Sequence, residues 1–170
     1  MHDFKNRKIQ ELYNYLVDDF DWNDFTYGQS YVLESFGKHI DKLKDEDWNY
    51  FEKNIDLWAS EVLHRLAIVI AEYNSKNLNY VLQKRVYCLA LINCWDKETC
   101  DLCTNLSAEL GLVIDLDIEI LERVIERLEQ LLNHYNVVAN YQAEEHTKRT
   151  IEFVKKKLTL TIEKTKANKV

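Results

Sequence analysis

Among 170 residues there is no proline, and there are only three glycines. Average usage would supply about 8 prolines and about 12 glycines at this length. Proline breaks helix interiors and glycine weakens them. The tight turns of a β-sheet draw on both. A chain nearly devoid of both is therefore expected to be all-α, its helices joined by short polar turns. Apolar residues make up 46% of the chain, and the length suits one domain that folds without a disulfide or a metal. The expectation is a single helical domain over 1–170.

Helical spacing of apolar residues predicts the elements. The first covers Phe4–Phe20, and Asp21–Gln29 reads as a connection. Ser30 can cap a second helix through Leu43, and Asp45-Glu46-Asp47 makes an acidic start for the next. Phe51–Tyr73 reads as one long helix and Asn74-Ser75 as a break. A helix over Lys76–Trp95 follows, then a turn at Asp96–Thr99, then a short helix ending at Gly111. Asp115 or Asp117 opens the most regular stripe, Ile118 to Leu132, with Arg123 and Arg127 on its solvated, ion-paired face. The last helix spans Asn140–Lys164 and frays into a basic tail over about 155–170. The total is seven to eight antiparallel helices, arranged as stacked pairs or as an irregular bundle.

Charge is unevenly spread. The net charge is −7, yet residues 148–170 carry +6, which leaves −13 on residues 1–147. Such a body repels a phosphate backbone and attracts a cationic partner over about a Debye length. Nucleic acid is therefore not the expected partner. No apolar run approaches the ~18 residues of a membrane span, so no membrane partner is expected and the chain reads as cytoplasmic with reduced cysteines.

Motifs for chemistry are sparse. Cys100-x-x-Cys103 has zinc-like spacing, but Cys88 and Cys94 have five residues between them rather than two. Glu61-x-x-His64 matches half of a di-iron pair, and no second Glu-x-x-His accompanies it. Glycines at 28, 37 and 111 lie too far apart for a phosphate-cradling loop. The expectation is no catalytic residue, no metal and no cofactor.

One short echo points to a surface. Asp21-Trp22-Asn23-Asp24-Phe25 resembles Asp47-Trp48-Asn49-Tyr50-Phe51, each with an Asp able to cap a helix and a Trp in its first turn. A helix start used twice accounts for it, and so does an acidic, aromatic contact surface. The partner-binding candidates are Asp18, Asp19, Asp21, Trp22 and Asp24, with Asp45, Glu46, Asp47 and Trp48. A second group is Asp96, Glu98 and Asp101. Trp22, Trp48 or the Ile118 stripe would also suit a homo-oligomer.

An acidic domain of helix pairs, with Trp and Asp at helix starts and no catalytic motif, resembles the small all-α, HEAT-like immunity proteins of bacterial toxin–immunity systems. The stretch Asp47–Leu110 carries the resemblance, through Leu57-Trp58-Ala59-Ser60-Glu61 with Val62–Tyr73, then Val86–Trp95 and Asp96–Leu110. It implies a protein that neutralises a cognate toxin, an enzyme with a basic cleft, by covering that cleft with an acidic face. A non-catalytic helical scaffold or adaptor is the alternative, and a helical metalloprotein a third.

Overall fold

A computed structural model describes residues 4–26, 28, 30–73, 79–111, 116–135 and 141–167. Among these there is no strand. Nine α-helices follow in order: α1 (Arg7–Asn14), α2 (Trp22–Thr26), α3 (Ser30–Ile40), α4 (Asp45–Lys53), α5 (Ser60–Glu72), α6 (Tyr80–Asn93), α7 (Asp96–Leu110), α8 (Ile118–Tyr135) and α9 (Tyr141–Ala167). The all-α expectation is met, with one or two helices more than the sequence suggested.

The core is continuous from Phe4 to Val154. Helix α6 is its axis and packs against α5, α7 and α8, while α8 pairs with α9. Its middle is buried on every side, from Val86 through Leu91 in an unbroken run, as befits a stretch without a polar face. Even Lys84 is buried there, paired with Glu109 of α7. The Tyr87 hydroxyl donates to the Leu102 carbonyl at 2.7 Å, so the polar atoms that α6 carries inward are matched.

Several predicted boundaries moved, each for a tertiary reason. Helix α1 does not run evenly to Phe20; residues Tyr15–Asp19 continue it as a wider π-turn. The Leu16 carbonyl of that turn accepts from Arg65 Nη1 at 2.7 Å. The supposed connection Asp21–Gln29 contains α2, which Asp21 caps: its Oδ1 accepts from the Asp24 amide at 3.0 Å. Gly28, after α2, has φ +72°, the left-handed region that glycine enters without strain.

The long helix expected over Phe51–Tyr73 is broken. Asn54 closes α4 by donating from Nδ2 to the Tyr50 carbonyl at 2.8 Å. A single 3-10 turn, Ile55–Leu57, follows. Trp58 is then extended and drives its ring inward, where it is 5% exposed. Burying that ring outweighs the local preference for one helix.

Asp96–Thr99 is no turn but the first turn of α7, where Asp96 and Glu98 favour the helix N-terminus. Gly111 ends α7 at φ −51°, so it is not the left-handed cap expected of it. The basic tail does not fray at 155: α9 continues to Ala167. Lys155 Nζ reaches Glu129 of α8 at 2.8 Å, and Lys157 Nζ donates to the Gly111 carbonyl at 2.7 Å. The expected break at Asn74-Ser75, the helix starts at Lys76 and Asn140 and the candidate start Asp115 lie outside the described residues.

Arg127 also departs from expectation. It does not lie on a solvated face of α8, since its side chain is only 15% exposed. Nη2 bonds the Cys94 carbonyl at 2.7 Å, Asp96 Oδ1 at 3.0 Å and Thr99 Oγ1 at 3.1 Å. One guanidinium thus ties α8 to the α6–α7 corner. Arg127→Ala should lower stability by about 2 kcal/mol, because it strips a buried carbonyl of its charged donor. Urea unfolding would measure it, and a loss under about 0.5 kcal/mol, the size of an ordinary surface change, would show the corner holds without it.

Candidate functional site

Helices α5 and α7 pack side by side, and each turns one polar stripe to the same edge. On α5 the stripe is Glu61, His64 and Arg65; on α7 it is Lys97, Asp101 and Thr104, with Glu98 and Cys100 beside them. Spacings of three, four and seven put each set on one helix face. Between them lies a groove of about 590 Å³, closed at one side by Trp22 of α2.

A hydrogen bond crosses the groove. His64 Nε2 stands 2.6 Å from Asp101 Oδ2. The carboxylate can only accept, so Nε2 carries the hydrogen. The Trp22 ring lies over His64 with centroids 5.8 Å apart, and is backed by Phe20 and Phe25 at 6.0 and 5.7 Å. These contacts fix Trp22 while leaving 38% of it exposed.

Ser60 locks the two helix starts together. Its buried hydroxyl accepts from the Trp95 amide at 2.7 Å and lies 3.2 Å from Glu98 Oε2, to which it donates. Trp95, the residue before α7, is 69% exposed, the most open of the large apolar residues described. The groove itself sets one partly exposed indole, that of Trp22, beside three carboxylates, Glu61, Glu98 and Asp101.

The sequence-derived candidates divide sharply. Trp22, Glu98 and Asp101 come together at this groove, although they belong to the two separate groups. Asp18, Asp19 and Asp21 are exposed, and the latter two line a smaller groove with Lys38 and His39. Asp24 is half-buried. Asp45 and Glu46 are exposed, and Asp45 lines a different groove beside Arg85 and Asp117. Asp96 is held by Arg127.

Asp47 and Trp48 are a correction. Both are buried at 4% exposure, so neither is offered to a partner. Asp47 does not cap α4 either. Lys44 takes the cap position, and Asp47 reaches back from the first turn to accept the Lys44 amide at 2.9 Å. The echo of Asp-Trp-Asn thus serves two unlike purposes, a cap at Asp21 and an internal tie at Asp47.

Glu61, His64 and Trp95 were not among the candidates. The first two were visible only as half of a metal pair. Their shared face was legible, but the α7 carboxylate that His64 meets, 37 residues later, was not.

The cysteines are mostly core residues. Cys88, Cys94 and Cys103 are buried and Cys100 is partly exposed at the groove. Burial pushes the thiols of Cys88 and Cys94 up to about 12, so they stay protonated at neutral pH. Among the described residues no group of three His, Cys, Asp or Glu could hold a metal ion. No helix among them is long and apolar enough to cross a membrane. No family model, no curated protein and no solved structure matches this chain.

Proposed function

We propose that the protein is a non-catalytic inhibitor of the immunity type, which neutralises a cognate toxin enzyme by covering its basic surface with the α5–α7 edge. One observation carries the reading: the partly exposed Trp22 walls a groove that bears Glu61, Glu98 and Asp101 on a body of charge −13, and the exposed Trp95 stands at the start of α7. Tryptophan anchors dominate protein interfaces. A strongly charged body speeds capture of an oppositely charged partner. The work asked of such a protein is occlusion, so a groove that binds suffices and no reacting group is needed. A cytoplasmic site of action fits a protein that shields its own cell.

This placement differs from the one the sequence suggested. Asp47 and Trp48 belong to the core and drop out, Trp22, Glu98 and Asp101 stay, and Glu61 of α5 joins them. The test is capture of partners by the full chain, followed by assay of the captured enzyme with and without it. Enzyme activity should fall on binding, and association should slow by about tenfold or more at high salt, as steered encounters do. A Glu61→Lys, Asp101→Lys variant, with both changes at exposed positions, should stay folded and lose inhibition. Partners that keep full activity in the complex, or inhibition indifferent to both salt and charge reversal, would refute the proposal.

A further inference from the structure

We infer that the groove between α5 and α7 is a receptor site for a single arginine side chain of the partner protein. The inference rests on the proposed inhibitory role for its biology, but its physical content stands on the groove alone. Among the described residues Glu61 makes no hydrogen bond or ion pair, and only one oxygen of Asp101 is engaged, by His64. Glu98 likewise has one oxygen taken, by Ser60. Three carboxylates from two helices thus face one groove with acceptor capacity to spare. Trp22 walls the same space with a partly exposed ring held by Phe20, Phe25 and His64.

That combination matches a guanidinium better than an ammonium. A guanidinium is planar, stacks on an indole face, and spreads five donors toward acceptors on different sides. An ammonium is a compact, strongly hydrated charge with no flat face to stack. Two cations also border the groove, and both leave room. Arg65 is drawn toward the Leu16 carbonyl at 2.7 Å, and Lys97 is exposed on a flexible stem. His64 acts by position: its Nε2 hydrogen fixes the Asp101 carboxylate, so the free oxygen is aimed before the ligand arrives.

The test uses the full chain and three blocked pentapeptides of glycine with a central arginine, lysine or citrulline. Citrulline keeps the planar shape of arginine but not its charge, with a carbonyl oxygen in place of one of the amino groups. The indole N–H resonance of Trp22, assigned from the spectrum of Trp22→Phe, is followed during titration. Arginine peptide should shift it saturably, with a dissociation constant on the order of millimolar for one side chain. Lysine should bind more weakly and citrulline should leave the resonance in place. Glu61→Gln and Asp101→Asn should each weaken arginine binding by about tenfold, the size of a lost charge-assisted hydrogen bond, with the Trp22 resonance otherwise native. No saturable shift, or equal shifts from citrulline and arginine, overturns the site even if an enzyme is still inhibited through this edge. The predicted arginine selectivity supports it even if no enzyme is ever found inhibited.

Discussion

Trp58→Ala should cost about 3–5 kcal/mol, the range for truncating a large buried aromatic, and should be the most damaging single change in this chain. Trp58 is 5% exposed. Its ring meets Phe51, Tyr13 and Phe4 at centroid distances of 5.0, 5.1 and 5.7 Å. The first two contacts are edge-on, at 87° and 83°, the geometry that the ring quadrupoles favour. The residue thus joins the 3-10 turn between α4 and α5 to α1 and to the segment before α1. Alanine would leave a cavity among three rings that cannot all move inward together. Domains of this kind have about 5–15 kcal/mol of total stability, so the variant is expected to be partly unfolded at 37 °C.

Trp58→Phe is the informative comparison. Trp58 Nε1 is buried and has no hydrogen-bond partner among the described residues. An orphaned buried donor costs about 1–3 kcal/mol, and phenylalanine removes it. The lost ring volume should be partly offset, so Trp58→Phe should cost less than half as much as Trp58→Ala. Equal losses in a urea titration would mean that the indole nitrogen is not in fact a liability.

The second large effect is at Asp47, a residue that sequence alone would place on the surface. Asp47 Oδ1 accepts from Asn6 Nδ2 at 2.8 Å, and Oδ2 accepts from Lys8 Nζ at 2.7 Å and from the Lys44 amide. One carboxylate therefore binds the start of α1 to the start of α4. Asp47→Asn should cost about 2–3 kcal/mol, the penalty for stripping hydrogen bonds from charged, largely buried groups. The full 3–5 kcal/mol of a broken buried pair is not expected, because the Lys8 side chain is 34% exposed and keeps some hydration.

The same site gives a pH signature. Burial alone would push the Asp47 carboxyl up. The bonds from Asn6, Lys8 and the Lys44 backbone outweigh burial and hold it below its ordinary 3.8. The folded chain thus binds this proton less readily than the unfolded chain. The stabilisation is complete above 3.8 and is lost as the pH falls through the lower folded value. The stability gap between wild type and Asp47→Asn should accordingly be constant at neutral pH and shrink below about pH 4. A gap that stays flat down to pH 2 would show that the carboxylate is not the group responsible. Asp45→Asn, at an exposed neighbour, should change stability by less than about 0.5 kcal/mol.

The regular helices were legible because their information is local. Leu121, Val124, Ile125, Leu128 and Leu131 of α8 are buried as the stripe implied, whereas Ile118 is only half-buried and Ile120, off that stripe, is buried too. Helix α6 was legible as a helix but not as the axis of the core. Its stripe did not announce that Tyr87, Cys88 and Leu91 would be covered as well, since covering a second face takes a second neighbour. The break before α5 was hidden for a related reason. Nothing in Phe51–Tyr73 forbids a continuous helix; the ring pocket for Trp58, built partly from Phe4 and Tyr13, is what favours breaking it.

The sequence by itself determined the class of fold and the sign of the charge. The lack of proline and scarcity of glycine act at every position, and the formal charge is a sum over residue types. Only the tertiary structure decided which acids meet solvent and which meet each other. Asp47 was drawn inward by Asn6, 41 residues away, and Asp101 was brought to His64 across 37 residues. Arg127 was taken from its helix face by Cys94, 33 residues before it. Local rules reach three or four residues along a helix. These partners are set by how each helix rotates about its own axis to bury its apolar stripe, and that is a property of the whole packed core.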